Sequence, residues 1–144
     1  MAVIHTYHNV YDTHYHIVFP VKYRKALLAD DILLAIKAIA EEIGLRYDIE
    51  FEKIGCDHDH IHILVSFPPK HSGSDVVRIF KSITARELFA RFPQLKKELW
   101  GGEFWSDGFY LATISERGNW RMVERYVAEQ GKTKDAHQQL RLLT

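Results

Sequence analysis

The chain is poor in the residues that build covalent or metal-caged frameworks. It has one cysteine, Cys56, in 144 residues, which excludes an internal disulfide and any multi-cysteine zinc cage. No apolar run approaches the roughly 20 residues of a membrane span, so no membrane partner is expected. The start, Met1 to His5, lacks a basic segment leading into a hydrophobic one, so secretion is not expected and a reducing cytoplasm fits best. Excess charge is missing too. Lys+Arg and Asp+Glu number 19 each, so no global positive field draws in nucleic acid and any such contact must be local. Repeats, low-complexity tracts and Pro/Gly-rich linkers are absent, which leaves residues 1–144 as one expected domain.

An apolar fraction of 47% with 26% charged residues is that of a globular protein able to bury a core. Tyr11 to Val21 reads as a strand, with Pro20 ending its pairing. Asp30 is placed to cap a helix carrying Ile32, Leu33, Ile36, Ile39, Ala40 and Ile43 at helical spacing, with Gly44 as its stop. Leu45 to Ile54 alternates as a second strand, Gly55 to His58 turns, and Asp59 to Phe67 forms a third, giving a hairpin. A second helix runs from Asp75 to about Arg91, with Val76, Ile79, Phe80 and Ile83 as its buried stripe. A short helix or turn follows around Gln94–Leu99, then a fourth strand, Phe109 to Ile114. Asn119 caps a last helix over about 119–131, and a polar tail occupies 132–144. The order β-α-β-β-α-β makes an α+β, ferredoxin-like fold. Its antiparallel four-stranded sheet has two helices on one face, and a C-terminal helix follows.

Chemistry concentrates in Asp59-His60-Ile61-His62. Strand residues two apart share a face about 7 Å apart, so His60 and His62 can share one divalent cation. With Ile61, Ile63, Val65 and Phe67 toward the core, the histidines project to the open face. Two surface histidines on a half-exposed strand fit the same pattern. Cys56 and His58 extend it toward a zinc set, but the intervening turn and a spread of about 13 Å argue against that.

On the last helix Tyr126 and Gln130 lie about 40° apart on the wheel. A boundary tyrosine beside a solvated glutamine is one reading. The other makes Tyr126 a nucleophile toward phosphorus and Gln130 an oxygen ligand to the same cation, which would favour phenolate. Nitrogen and oxygen ligands without thiolate suit Mg²⁺ or Mn²⁺, although histidine also tolerates zinc. The run Lys22, Tyr23, Arg24, Lys25 is the densest basic cluster, either a grip on phosphates with a stacking ring or a solvated charge run. Phe104 and Trp105 could stack an unpaired base or plug the sheet end.

Five segments in order resemble a known family. They are Tyr15–Lys25, Asp59–Val65, Phe80–Arg86, Phe104–Tyr110 and the Tyr126/Gln130 helix. The chain is similar to the HUH single-tyrosine transposases (TnpA) of small insertion sequences that move as single-stranded DNA. The resemblance implies His60 and His62 as metal ligands, Gln130 as a helix-borne ligand and Tyr126 as the nucleophile. It implies a 5′-phosphotyrosyl intermediate with a free 3′-OH, and recognition of an imperfect DNA hairpin. It further implies a homodimer whose active sites are shared between subunits, with Gly118 and Gly131 as candidate hinges. A domesticated relative acting on genomic palindromes is the near alternative. A non-catalytic single-strand DNA or RNA binder on the same fold is the unlike one. A two-histidine phosphoesterase would need a His-x-Ser/Thr strand that the chain lacks.

Overall fold

Alternating and helical periodicities resolve into one four-stranded antiparallel sheet carrying helices on one face. The computed structural model describes residues 3–5, 10–11 and 13–114. The helix expected over 119–131, with Tyr126 and Gln130, and the tail 132–144 lie outside the described residues. Two short strands, β1 (Ile4–His5) and β2 (Val10–Tyr11), pair with each other, a feature the sequence pattern did not announce. The main sheet has β3 (Tyr15–Pro20), β4 (Glu50–Asp57), β5 (His60–Ser66) and β6 (Tyr110–Thr113) in the order β4-β5-β3-β6. This is the split βαβ arrangement that the element order implied.

Helices α1 (Asp30–Tyr47) and α2 (Gly73–Arg91) supply the layer over the sheet, and α3 (Leu95–Glu98) follows. Ile32, Ile36, Ile39 and Ile43 are buried at a helical period and meet Ile17, Phe19, Ile61, Ile63 and Val65 from the sheet. Each such side chain contributes about 1.5–3 kcal/mol on burial, which makes this interface the main source of stability. On α2 the buried stripe is Val76, Val77, Phe80, Thr84 and Leu88, with Ile79 and Ile83 only partly covered. The stripe is rotated from the expected one because Thr84 is held inside, accepting from Trp105 Nε1 at 2.8 Å and donating to Phe80 O at 2.6 Å.

Besides the division of the strand expected over Tyr11 to Val21 between β2 and β3, and the inclusion of residues 45–47 in α1 rather than in a strand, three boundaries differ from expectation. Asp30 is the first helical residue rather than the cap; the N-cap is Ala29, and Asp30 and Asp31 serve the first turn by charge. Gly44 does not stop α1, which ends at Asp48 in the left-handed region. Instead, a Cβ at Gly44 would lie 2.5 Å from the Ile49 carbonyl oxygen. Glycine is there so that the chain can double back, with Ile49 N donating to Gly44 O at 3.1 Å. Third, Gly55, Cys56 and Asp57 belong to β4 and the turn is His58-Asp59, so Asp57 faces His60 directly. Ser72 caps α2, accepting from Asp75 N at 3.0 Å.

Candidate metal centre

The register of the sheet builds a cluster on the face away from α1 and α2. Opposite His60 stand Pro20 on β3 and Asp57 on β4; opposite His62 stand Val18 and Gly55. Gly55 leaves open space where a side chain would project beside His62. Asp57, His60 and His62 each bring one ligand atom, all within 4.8 Å of one another. The histidine rings lie 4.9 Å apart, edge to face, and His16 lies 5.7 Å from His62.

His60 is not open to solvent as expected; it is 3% exposed because acids close over both ring nitrogens. Its Nδ1–H donates to Asp59 Oδ1 at 2.8 Å. Its Nε2 lies 2.9 Å from Asp57 Oδ2 without forming a hydrogen bond. In the neutral form with the proton on Nδ1, Nε2 turns a lone pair toward the Asp57 carboxylate, the form that can bind a metal. Adjacent ligands of an octahedral ion bonded at about 2.0–2.1 Å sit about 2.9 Å apart, so this spacing fits a cation between them. His62 Nδ1 is likewise buried and unpartnered among the described residues. Burial, aided by His60 and His16, pushes the His62 imidazole down to about 4 against the opposing pull of Asp57. It is therefore neutral near pH 7, the form that gives its lone pair to a metal. His16 is also pushed down by burial.

Asp59 anchors the cluster from behind. Arg24 Nε and Nη2 donate to Asp59 Oδ2 at 3.0 and 2.7 Å. Burial alone raises the Asp59 carboxyl, but the hydrogen bonds from His60 and Arg24 and their charges bring it below its ordinary value. A chain Arg24–Asp59–His60 thus fixes the tautomer and ring orientation of a candidate ligand. The turn that aims Arg24 inward is strained. Tyr23 (φ 59°) and Arg24 (φ 52°) are consecutive non-glycine residues in the left-handed region, at about 1–2 kcal/mol each.

The basic run divides on folding. Lys22 pairs with Glu103 at 2.8 Å, Arg24 with Asp59, and Lys25 approaches Glu98 at 3.6 Å. Each cation of the cluster faces an acid, while Tyr23 stays 55% exposed. Cys56 pairs with Ile61 on the core side, and its Sγ–H points to Leu28 O at 3.8 Å. It shares no face with His60 and His62. Phe104 and Trp105 are buried and plug the sheet end; neither ring is free to take a base. Lys81 on α2 is folded in and donates to Ser106 O and Gly108 O, both at 2.7 Å.

Sequence reasoning missed Asp57, Asp59 and His16 as parts of the site. A signal for Asp57 existed: a two-residue turn at His58-Asp59 puts it opposite His60, whereas Gly55 drew the turn upstream. Elsewhere on this face Val18 and Tyr110 face each other across β3 and β6 and are buried. Ser66 Oγ bonds His14 Nδ1 at 2.8 Å and Glu52 Oε1 at 2.7 Å. Glu52 reaches them from a bulge in β4, and its Oε1 also meets His14 Nδ1.

Residues 9–130 match the model of the IS200-like transposases. The ISDra2 transposase TnpA of Deinococcus radiodurans is 32% identical over 121 residues, covering 84% of this chain and 86% of the relative. The transposase of insertion sequence element IS200 from Salmonella typhimurium is 29% identical over 123 residues, covering 85% and 80%. Among solved structures, a D. radiodurans protein assigned as a transposase superposes with a TM-score of 0.77 at 29% identity, covering 88% of this chain and 97% of the other. A REP-associated tyrosine transposase bound to a REP hairpin superposes at 0.52 with 12% identity, covering 97% and 70%, a likeness of fold.

Proposed function

The chain belongs to the IS200-like transposase family, and we propose that it cleaves and rejoins single-stranded DNA at insertion-sequence ends by tyrosine transesterification. The observation that carries the reading is the cluster of Asp57, His60 and His62, whose ligand atoms lie within 4.8 Å of one another, each histidine keeping one buried nitrogen without a hydrogen-bond partner among the described residues.

In this reading His60, His62 and Gln130 hold a divalent ion, Mg²⁺ or Mn²⁺, and Asp57 offers a further oxygen. The bound ion would draw charge from the phosphate oxygens and favour the phenolate of Tyr126. His62 stays neutral, and His60 is oriented through the hydrogen bond between its Nδ1 and Asp59. Tyr126 Oη forms a bond to phosphorus as the bond to the 3′ oxygen breaks. That oxygen departs with the electron pair and takes up a proton, leaving a free 3′-OH and a 5′-phosphotyrosine. Attack by another 3′-OH reverses the exchange and rejoins the strand. Phosphodiester is traded for phosphodiester, so no external energy source enters the balance.

The DNA partner we propose is an imperfect hairpin, and the active assembly a homodimer with shared sites. Lys22, Tyr23, Arg24 and Lys25 remain the proposed contact segment, with Arg24 now assigned to Asp59 and Tyr23 and Lys25 as its exposed members.

The test is an adduct assay on single-stranded DNA from the gene's flanks, with Mg²⁺ or Mn²⁺, resolved on a denaturing gel. A metal-dependent, SDS-resistant band is expected, absent in Tyr126→Phe and His62→Ala. Tyr110→Phe, on the same face but buried, should keep the band. A band lost in Tyr110→Phe and kept in Tyr126→Phe would move the nucleophile. No band despite tight, metal-independent hairpin binding would leave a binding module.

A further inference from the structure

We infer that Trp100 and Tyr23 form a stacking platform for an unpaired nucleobase of single-stranded DNA, beside a cationic groove that takes the adjoining phosphates. The inference deepens the proposed DNA-processing reading and rests on it for the identity of the polymer.

Trp100 is 81% exposed and Tyr23 55%, the two large exposed aromatics among the described residues. They are not scattered. Their ring centroids lie 6.1 Å apart with planes 18° from parallel, although they are far apart in sequence and sit on different loops. Exposed aromatic area of this kind is costly to leave in water and is the chemistry that stacks bases of any sequence.

Charge selects the occupant. Trp100 lines a groove of about 550 Å³ with Arg86, Lys96, Phe89 and Leu99, and no acid lines it. Arg86 and Lys96 have no ionic partner among the described residues, unlike Lys22, Arg24 and Lys25. Two free cations beside an open indole suit a polyanion that carries flat rings. On the other side, Lys22 Nζ lies 5.6 Å from the Tyr23 ring centroid.

The platform is tied to the metal cluster through one peptide. The left-handed turn that sends Arg24 inward to Asp59 sends Tyr23 outward to Trp100.

The test uses the full chain in EDTA and a short oligothymidylate bearing one 2-aminopurine, whose fluorescence falls on stacking. Wild type should quench it. Trp100→Ala should lose the quench and bind about 5- to 100-fold more weakly, with Trp100→Phe recovering most of the loss. On an all-abasic strand of equal length, wild type and Trp100→Ala should bind alike. Arg86→Ala and Lys96→Ala should each lower the salt slope by about 0.7. Thermal melting of Trp100→Ala should match wild type, since the ring is exposed.

Equal binding of wild type and Trp100→Ala to the oligothymidylate would overturn the platform, as would equal losses on the abasic strand. So would a Trp100→Ala effect confined to self-association in sedimentation. The metal-dependent adduct is scored in parallel. An adduct with Trp100-independent binding sinks the platform alone, and no adduct with Trp100-dependent binding sinks the catalytic reading alone.

Discussion

Asp59→Asn is the sharpest probe of the candidate centre, because it changes one oxygen to nitrogen and leaves shape intact. In the native chain Oδ1 accepts from His60 Nδ1 at 2.8 Å and Oδ2 accepts twice from Arg24. An amide has one acceptor side and one donor side, while a guanidinium offers donors only. If the amide oxygen stays toward Arg24, its NH₂ faces His60 and selects the tautomer with the proton on Nε2, aimed at Asp57 and away from metal binding. If the oxygen turns to His60, NH₂ meets the Arg24 donors and the carboxylate's hold on the turn is lost. Either way the lone pair on Nε2 is no longer fixed. Second-sphere losses of this kind weaken metal binding about 10- to 100-fold, or about 1.4–2.7 kcal/mol. Losing the charged hydrogen bonds costs the fold about 1.5–3 kcal/mol, which a domain of ordinary stability tolerates. Mn²⁺ affinity would be read by calorimetry without DNA, and again as the midpoint of a Mn²⁺ titration of adduct formation. Both should move together, with adduct formation recovering at saturating Mn²⁺. Unchanged Mn²⁺ affinity in a folded Asp59→Asn chain would refute the Arg24–Asp59–His60 argument.

Three further outcomes follow from the packing and the charges. Gly44→Ala, which helix propensity alone would make stabilising by about 1 kcal/mol, should instead lower the urea midpoint. Its Cβ meets the Ile49 carbonyl, and overpacking costs about 1–3 kcal/mol; a raised midpoint would show that β4 yields freely. Ser72→Ala should cost about 1 kcal/mol by removing the cap on Asp75 N, and Ser72→Asp should retain most of the stability in the same melts. The folded chain holds His62 at about 4 against 6.5 unfolded, so the unfolded state binds the extra proton between those values. The His62 contribution is therefore fully present above pH 6.5 and is lost as pH falls toward 4. Metal-free His62→Gln should show a flatter pH–stability slope in that window, and an identical slope would reject the assignment.

The fold was legible where side-chain period alone decides it. The isoleucines of α1 and the alternation from Ile61 to Phe67 place a helix and a buried strand without any knowledge of partners. Legibility failed where one residue type serves two purposes. Glycine after an apolar helical run reads as a stop, yet Gly44 is kept small by the Ile49 carbonyl in the connection to β4. Glycine before Cys56 reads as a turn, yet Gly55 lies within β4 opposite His62. For Gly44 the deciding contact is the chain doubling back on the helix end, and for Gly55 it is the pairing with β5; neither is encoded in side-chain periodicity.

The site divides along the same line, and the division explains its chemistry. His60 and His62 announce themselves because their spacing matches a strand's own period. Asp57 and Arg24 do not, since each reaches the cluster through a choice of turn. A hairpin turn displaced upstream by even one or two residues would move Asp57 off His60. Arg24 depends on two left-handed residues in succession, which no propensity favours. Conformations that cost energy persist where surrounding contacts over-determine them. Here the contacts are Val21 N to Asp59 O at 2.8 Å, Lys22 N to Phe104 O at 2.9 Å and Leu28 N to His58 O at 3.0 Å. The first and third lash the segment after β3 to the hairpin that carries the histidines, and the second ties it to Phe104 ahead of β6. The sheet thus presents the two candidate ligands, and the strained segment beside it, through Arg24 and Asp59, orients the ring of one of them.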